Sequence, residues 1–281
     1  MHFARNIGDD VSSPTQLLAS FNDAPLDLLS VHFTGRKEEL GDVETMLNMV
    51  HSDGPSRCAI HGMPGLGKTQ LALQYSKLFF ESHKGAIIFW ISAASLEKLN
   101  QGYSKILNLV NHPERMHLEQ SARQTAARRW LEQLESKGPI PWLVVFDNVN
   151  RRVISFLKEN LPRHGRYGRI LFTTRTKDVA TTVCNAAGHQ YKTLELKVPK
   201  IQDATKLFLD QIRAEEDQQP LSLKEKVMRV VGCLGYLPLA INQAASFMNQ
   251  SYQTVDNLLD LFTNGQKYQV RPLLSLYSQK C

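Results

Sequence analysis

Residues 57–69 read Arg-Cys-Ala-Ile-His-Gly-Met-Pro-Gly-Leu-Gly-Lys-Thr, and Gly62 to Thr69 spell the pattern G-x-x-x-x-G-K-T. The short apolar run before the glycines has the length of a buried parallel strand. The residues after Lys68 place apolar side chains on one face of a helix (Leu71, Tyr75, Leu78 and Phe79). Strand, glycine-rich loop and helix form the setting in which this pattern binds phosphate. The stretch therefore predicts a P-loop at the centre of the chain.

The residue types of this loop suit an anion. Glycines let the backbone N–H groups turn inward without a clash at Cβ, and the N-terminus of the following helix adds partial positive charge. Lys68 has the reach to contact β- and γ-phosphates, and the Thr69 hydroxyl suits Mg²⁺. We therefore assign nucleotide contacts to one continuous run: Gly62, Met63, Pro64, Gly65, Leu66, Gly67, Lys68, Thr69 and Gln70.

The composition of the 281 residues is that of a soluble globular protein, with 42% apolar and 21% charged residues. Apolar runs do not exceed about six residues, so we expect neither a membrane span nor a signal peptide. The four cysteines lack the spacing of a zinc site, which favours reduced thiols in the cytoplasm or, as an alternative, the nucleus.

The net charge of +6 leaves a nucleic-acid partner open. Basic residues cluster mildly in residues 163–166 and 169–175, but no recognition motif accompanies them. A solvated loop and phosphate-binding arginines explain the same residues, so we rank nucleic acid below a protein partner.

Apolar strand-like runs alternate with helical patterns through the first two thirds of the chain. This alternation predicts an α/β fold of the P-loop NTPase type, with a parallel sheet covered by helices on both faces. The predicted strands are residues 57–61, 86–91, 142–146, 169–173 and 191–196.

The pattern becomes purely helical after Val198-Pro199. Ser222-Leu-Lys-Glu225 has the form of a capping box, and Pro238 has the position of a first helical residue. We therefore expect a small all-α subdomain. The predicted division of the chain is a leader over residues 1–30, a nucleotide-binding domain over 31–198, a helical subdomain over 199–265 and a tail over 266–281.

The run Trp142-Leu-Val-Val-Phe-Asp147 delivers a carboxylate to the end of a buried strand, where a P-loop requires an acidic partner for Mg²⁺. A strand-ending turn would also explain Asp147. The next residue is Asn148, where many ATPases of this layout carry a second carboxylate. An amide holds a water but does not take its proton, so we predict slow hydrolysis.

Thr173-Thr174-Arg175 ends the fourth predicted strand, where a hydroxyl, which we assign to Thr174, and the Arg175 guanidinium suit a γ-phosphate. A strand end with a solvated arginine would leave the same signature. The guanine-reading sequence N-K-x-D is missing after this strand, which favours ATP or ADP as the ligand.

Five motifs in this order resemble those of NB-ARC domains, the nucleotide switches within the STAND class of P-loop ATPases. They are found in plant immune receptors, apoptosome scaffolds and fungal NLR-like proteins. The motifs are residues 61–69, 143–148 and 172–175, together with Phe33-Thr-Gly-Arg36 and Gly235-Tyr-Leu-Pro-Leu-Ala240.

The resemblance implies roles for further residues. Phe33 and Arg36 would lie against the nucleotide, Pro238 would pack near the adenine and sense ADP, and Arg175 would report the γ-phosphate. The segment after Val198 would be an ARC1-like bundle that closes over the site. The family continues into a winged-helix domain and sensor repeats, so we expect this chain to be a member truncated after that bundle.

Three functions remain open at this point. The first is an ATP/ADP switch that controls protein-partner binding or self-assembly in signalling or defence, with Lys68, Asp147, Asn148 and Arg175 as its catalytic set and Thr69 and Asp147 as its Mg²⁺ ligands. The second is a working ATPase with a nucleic-acid or protein partner. The third is a degenerate module that holds ADP as a structural ligand.

Overall fold

The computed structural model describes residues 19–49, 54–185, 191–212 and 221–263. These residues form a sheet of six parallel strands in the order β1-β3-β4-β5-β2-β6. The strands are β1 (Phe21–Asn22), β2 (Ser56–His61), β3 (Ile87–Ser92), β4 (Trp142–Val149), β5 (Gly168–Thr174) and β6 (Thr193–Glu195). Because every strand runs in the same direction, their carboxyl ends meet at one edge.

Helices cover both faces of the sheet, as the apolar strands require. One face is packed by α3 to α6 and the other by α1 and α2, each with a core of its own. The helices are α1 (Lys37–Leu47), α2 (Lys68–Ser82), α3 (Leu96–Leu109), α4 (Gln120–Gln133), α5 (Ile154–Asn160), α6 (Lys177–Cys184), α7 (Ile201–Gln211), α8 (Leu221–Cys233), α9 (Pro238–Ser251) and α10 (Val255–Thr263).

The last four helices form a separate bundle. A third core, which includes Phe208, Val230, Ile241 and Leu258, joins α7, α8, α9 and α10. The predicted α/β sheet followed by a small all-α subdomain is therefore confirmed. None of the helices in the described residues is both long enough and apolar enough to cross a membrane.

The sheet begins earlier than the expected boundary at residue 31. Phe21 pairs with Ile87 and Asn22 with Ile88, so β1 extends the sheet beyond β3. The Asp23 carboxylate then accepts a hydrogen bond from the Trp90 backbone N–H at 3.2 Å. A two-residue strand has no detectable period, which is why the sequence did not reveal it. Residues 1–18 and the predicted tail lie outside the described residues.

Three local expectations need correction. Leu78, predicted on the buried face of α2, is 41% exposed, whereas Leu71, Tyr75 and Phe79 are buried at a spacing of four. Helix α8 already includes Leu221, so Ser222 lies in its first turn rather than before it. Helix α6 was not predicted, because Asp178 and two threonines interrupt its apolar pattern.

Candidate nucleotide-binding site

The predicted P-loop connects β2 to α2 at the carboxyl edge of the sheet. Gly62, Gly65 and Gly67 all have positive φ angles, of 148°, 84° and 91°. At Gly62 a Cβ would come within 2.6 Å of the Leu196 carbonyl oxygen, which follows β6. The loop therefore needs glycine here both for its conformation and for its packing against the neighbouring strand.

Lys68 is the first residue of α2, and its side chain folds back over the loop. Its Nζ donates to the carbonyl oxygens of Gly62 and Met63, each at 2.8 Å. Burial lowers the pKa of Lys68, and the nearby Arg175 lowers it further, whereas Asp147 opposes both effects. A partly buried ammonium held only by neutral acceptors favours an anionic partner.

Asp147 stands at the centre of a hydroxyl network. Its Oδ1 accepts from the Thr69 hydroxyl at 2.9 Å and from the Thr173 hydroxyl at 2.6 Å. Thr69 and Asp147 thus bring together a hydroxyl and a carboxylate, both oxygen donors that Mg²⁺ prefers. The residues that would hold the metal therefore fit it, and they come from different elements, α2 and β4.

Asn148 follows directly and has a left-handed backbone with φ of 64°. The strand is irregular at this point, and the Asn148 N–H donates to the Thr173 hydroxyl at 2.8 Å. This conformation leaves the Asn148 side chain exposed on the wall of a cleft that Lys68 and Asp147 also line. An amide there orients water but offers no base.

Thr173, rather than the predicted Thr174, presents its hydroxyl to this network. The Thr174 hydroxyl donates to the Val149 carbonyl oxygen at 2.7 Å and is buried. Successive residues of a strand point to opposite faces, so only one of the two threonines can face Asp147. Arg175, just after β5, lies exposed on the cleft wall as expected.

We call this cleft the phosphate chamber. It holds about 1050 Å³ of empty space, open solvent at its mouth included. Its walls combine the P-loop, the ends of β4 and β5, and α9: Pro64, Gly65, Gly67, Lys68, Thr69, Gln70, Asp147, Asn148, Thr173, Thr174, Arg175, Leu239 and Gln243.

Helix α9 touches the P-loop directly. The Leu239 N–H donates to the Gly65 carbonyl oxygen at 3.2 Å, and a Cβ at Gly65 would lie 3.3 Å from the Leu239 Cβ. Leu239 and Gln243 are a helical turn apart; Leu239 belongs to the motif of residues 235–240, but the sequence assigned neither residue to the site. Their spacing of four marks a shared helix face, but it does not reveal what the face contacts.

A second cleft adjoins the chamber, with about 500 Å³ of empty space when the open solvent at its mouth is included, and Gly67 and Gln70 line both. We call it the nucleoside cleft. It brings together the predicted Phe33, Arg36, Leu66 and Pro238 with residues that the sequence did not single out. Its lining is Ser30, His32, Phe33, Thr34, Arg36, Leu66, Gly67, Gln70, Pro199, Asp203, Leu207, Pro238 and Asn242.

Arg36 and Gln70 are held by the protein itself. Arg36 is buried, contacts the Glu39 carboxylate at 2.5 Å and donates to the Leu66 carbonyl oxygen at 3.3 Å. Gln70 accepts from the Ser30 N–H at 2.7 Å and donates to the Leu28 carbonyl oxygen at 2.9 Å. Both side chains therefore shape the cleft by fixing its backbone.

Met63 is a predicted contact that lies outside both clefts. Its side chain is 59% exposed and lines neither cleft. Gly62 likewise lines neither cleft. Both residues contribute through their carbonyl oxygens, which hold Lys68.

Comparison with known protein families matches residues 36–218 to the NB-ARC domain. The chain belongs to the NB-ARC family. Its sequence is 30% identical over 244 residues to a nucleotide-binding leucine-rich repeat (NLR)-like protein of the fungus Hyaloscypha variabilis. It is 27% identical over 247 residues to the rice disease resistance protein RGA5. These matches cover 83% and 84% of the chain.

The NB-ARC chain spans about a quarter or less of these relatives, 24% of the fungal protein and 21% of RGA5. Among solved structures it resembles the Aeropyrum pernix ORC2 protein with a TM-score of 0.55 and Caenorhabditis elegans PCH-2 with 0.53, each at 13% identity. The similarities cover 89% and 88% of the chain and 73% of each structure. They show a shared fold, and the family match makes the chain an NB-ARC nucleotide-binding module.

Proposed function

We propose that this NB-ARC chain is an ATP/ADP switch, in which nucleotide and Mg²⁺ set how α7 to α10 pack on the sheet. The observation that carries the proposal is the hydrogen bond from Leu239 in α9 to Gly65 in the P-loop. Through this contact, the helical bundle and the phosphate-binding loop form walls of the same chamber. A ligand in that chamber would therefore contact both parts of the molecule.

The chemistry of the chamber supports a nucleotide with Mg²⁺. Lys68 would exchange its two carbonyl acceptors for phosphate oxygens, and Arg175 would supply a second cation. Thr69 and Asp147 would hold the metal. When bound, Mg²⁺ neutralises charge on the β- and γ-phosphates. The nucleoside cleft, with Phe33 and Pro238 in its lining, would receive the adenosine.

Hydrolysis is proposed to be slow. Asn148 is the polar residue that follows Asp147 into the chamber, and its amide orients water without removing a proton. A long-lived triphosphate state suits a switch better than rapid turnover, because each state must persist long enough to be read. Nucleotides change the packing only if they bind the two arrangements with different affinities.

The readout is proposed to be a protein partner or a second copy of the chain. The NLR-like and disease resistance names of the relatives support a role in signalling or defence. Cys58, Cys184 and Cys233 are free thiols, which supports a reducing compartment and hence the cytoplasm, with the nucleus as the alternative.

The test has two measurements on the purified protein. Ion-exchange chromatography of the denatured protein measures the bound nucleotide, and light scattering measures molecular mass in the ADP form and with a non-hydrolysable ATP analogue. We expect stoichiometric ADP, or ready uptake of ATP, and a mass that depends on the nucleotide.

Lys68→Ala should weaken triphosphate binding at least tenfold, because it removes a charge-assisted contact. Lys77→Ala, an exposed lysine on the same helix, is the matched control and should bind as the wild type does. The same mass in all nucleotide states would argue against the switch. Equal binding by Lys68→Ala would argue against the site itself.

A further inference from the structure

Gln243 presents an amide to the phosphate chamber that the protein leaves without a partner. It lies on α9, and its side chain forms part of the chamber wall. Its Oε1 is buried and accepts no hydrogen bond. No hydrogen bond from its Nε2 to a described residue is present either. Gln243 as a whole is only partly buried, so the missing partner is unusual for the buried oxygen, whereas Nε2 is left free to donate to a ligand.

Two other amides of the same helix show what pairing looks like here. Asn242 accepts from the Gln211 Nε2 at 2.7 Å, and Asn249 donates to the Gln211 carbonyl oxygen at 3.0 Å. Both partner groups belong to Gln211 at the end of α7, so these hydrogen bonds join α9 to α7 within the helical bundle. Gln243 faces away from this set, and its amide adds no hydrogen bond to the bundle.

The surroundings of Gln243 indicate what the unpaired N–H donors of its Nε2 would contact. Lys68 and Arg175 make the chamber attractive to an anion, and the Asp147 Oδ1 already accepts from Thr69 and Thr173. A phosphate oxygen accepts hydrogen bonds and donates none when it is ionised. An amide nitrogen offers two N–H donors, so it is the end of Gln243 that suits a phosphate.

We propose that Gln243 donates from Nε2 to an oxygen of the terminal phosphate and so reports the triphosphate to the helical bundle. Lys68 begins α2 and Arg175 follows β5, so both belong to the α/β part of the chain, whereas Gln243 belongs to α9. A contact from α9 would favour the closed packing when a γ-phosphate is present and would be missing with ADP. The inference rests on the proposed nucleotide switch and adds a residue that distinguishes its two ligands.

The test compares affinities for ADP and for adenylyl-imidodiphosphate, each with Mg²⁺, by titration calorimetry. Gln243→Leu keeps the approximate size of the side chain and removes both N–H donors. We expect it to weaken binding of the triphosphate analogue by roughly tenfold or more, the effect of losing a hydrogen bond to a charged acceptor. Its ADP affinity should stay within about twofold, because ADP has no γ-phosphate to contact.

Two further variants separate hydrogen bonding from packing. Gln243→Glu keeps the shape but replaces the donors with a negative charge, so the triphosphate analogue should bind more weakly still. Gln250→Leu makes the same change as Gln243→Leu at an exposed position of α9 and should bind both ligands as the wild type does.

The outcomes are distinguishable. A Gln243→Leu protein that loses the same factor for both nucleotides would show a packing role and overturn the inference. Unchanged affinity for both would also overturn it. If the wild type binds neither nucleotide, the proposed function fails, and this inference fails with it.

Discussion

At the scale of single residues, Asp147 and Asn148 are neighbours that the backbone directs to different tasks. Asp147 is drawn into the strand end by the hydroxyls of Thr69 and Thr173. The left-handed backbone of Asn148 then exposes the Asn148 side chain to the chamber. Asparagine and aspartate are among the residues that best tolerate this conformation. The turn therefore allows a carboxylate in place of the amide.

Because aspartate tolerates the left-handed backbone at residue 148, the Asn148→Asp variant should fold normally and can be tested for hydrolysis. A carboxylate on the chamber wall would accept the proton of the attacking water, a role worth about 10²–10⁴ in rate when the base is well placed. We expect hydrolysis of ATP in a single turnover to rise at least tenfold, with ADP affinity little changed. An unchanged rate would show that Asn148 does not face the reacting water.

Thr173→Val and Thr174→Val make a matched pair at the same scale. Thr173 donates to the Asp147 carboxylate in the chamber, whereas Thr174 donates to a buried backbone carbonyl. Mg²⁺ should raise ATP affinity less in Thr173→Val than in the wild type, because Asp147 loses a hydrogen-bond partner that orients its carboxylate. Thr174→Val should instead lower the free energy of unfolding by about 1 kcal/mol, since a buried acceptor is left unpaired. Reversed effects in magnesium titration and urea unfolding would contradict this assignment.

At the scale of elements, the start of α1 packs against α7 through a glycine. Gly35 has a φ of 69°, and a Cβ there would come within 2.7 Å of the Asp203 carboxyl carbon. The exposed Glu38–Lys200 ion pair at 2.7 Å joins the same two elements but adds little stability in water. Because the Cβ would meet only the movable end of the Asp203 side chain, the requirement for glycine here comes mainly from the left-handed backbone.

Gly35→Ala should destabilise the protein by roughly 1–2 kcal/mol, the penalty of a left-handed backbone for a residue with Cβ. The Asp203 side chain must also move. Gly41→Ala is the control, because Gly41 lies within α1 and a Cβ there meets nothing within 4 Å. It should stabilise by up to about 1 kcal/mol through helix propensity. Urea unfolding measures the free energy of unfolding of both variants, and equal effects of the two substitutions would refute the argument from backbone conformation.

At the scale of the whole molecule, the clefts lie where separate cores meet. The sheet has a core on each face, and the bundle of α7 to α10 has a third. Both clefts take walls from the P-loop and from α9; the phosphate chamber adds the ends of β4 and β5, and the nucleoside cleft adds the segment before α1 and part of α7. A ligand there would link two units that could otherwise unfold independently.

Saturating ADP with Mg²⁺ should therefore stabilise the sheet and the bundle together. A ligand at about 100 times its Kd contributes about 2.7 kcal/mol, which for a chain of 281 residues raises Tm by about 5 °C. Hydrogen exchange should show that ADP adds protection in both β2 and α9. In Lys68→Ala, ADP should add no such protection. Protection confined to the sheet would mean that the nucleotide does not link the two units.

The amino-acid sequence alone was sufficient for the P-loop, the parallel sheet, the strand that carries Asp147 and the change to helices after Val198. These features depend on patterns within one strand or one helix, where periodicity and glycine content act over a few residues. The family resemblance was also visible in motifs of this length, and the match over residues 36–218 confirms it.

Only the tertiary structure decided which of two adjacent threonines faces Asp147, that Phe21 and Asn22 add a strand, and that Gln243 faces the P-loop. Each of these depends on the relative position of elements far apart in the chain. Gln243 is 176 positions after Gly67, yet both line one chamber. A helical period shows that Leu239 and Gln243 share a face, but packing determines what that face meets.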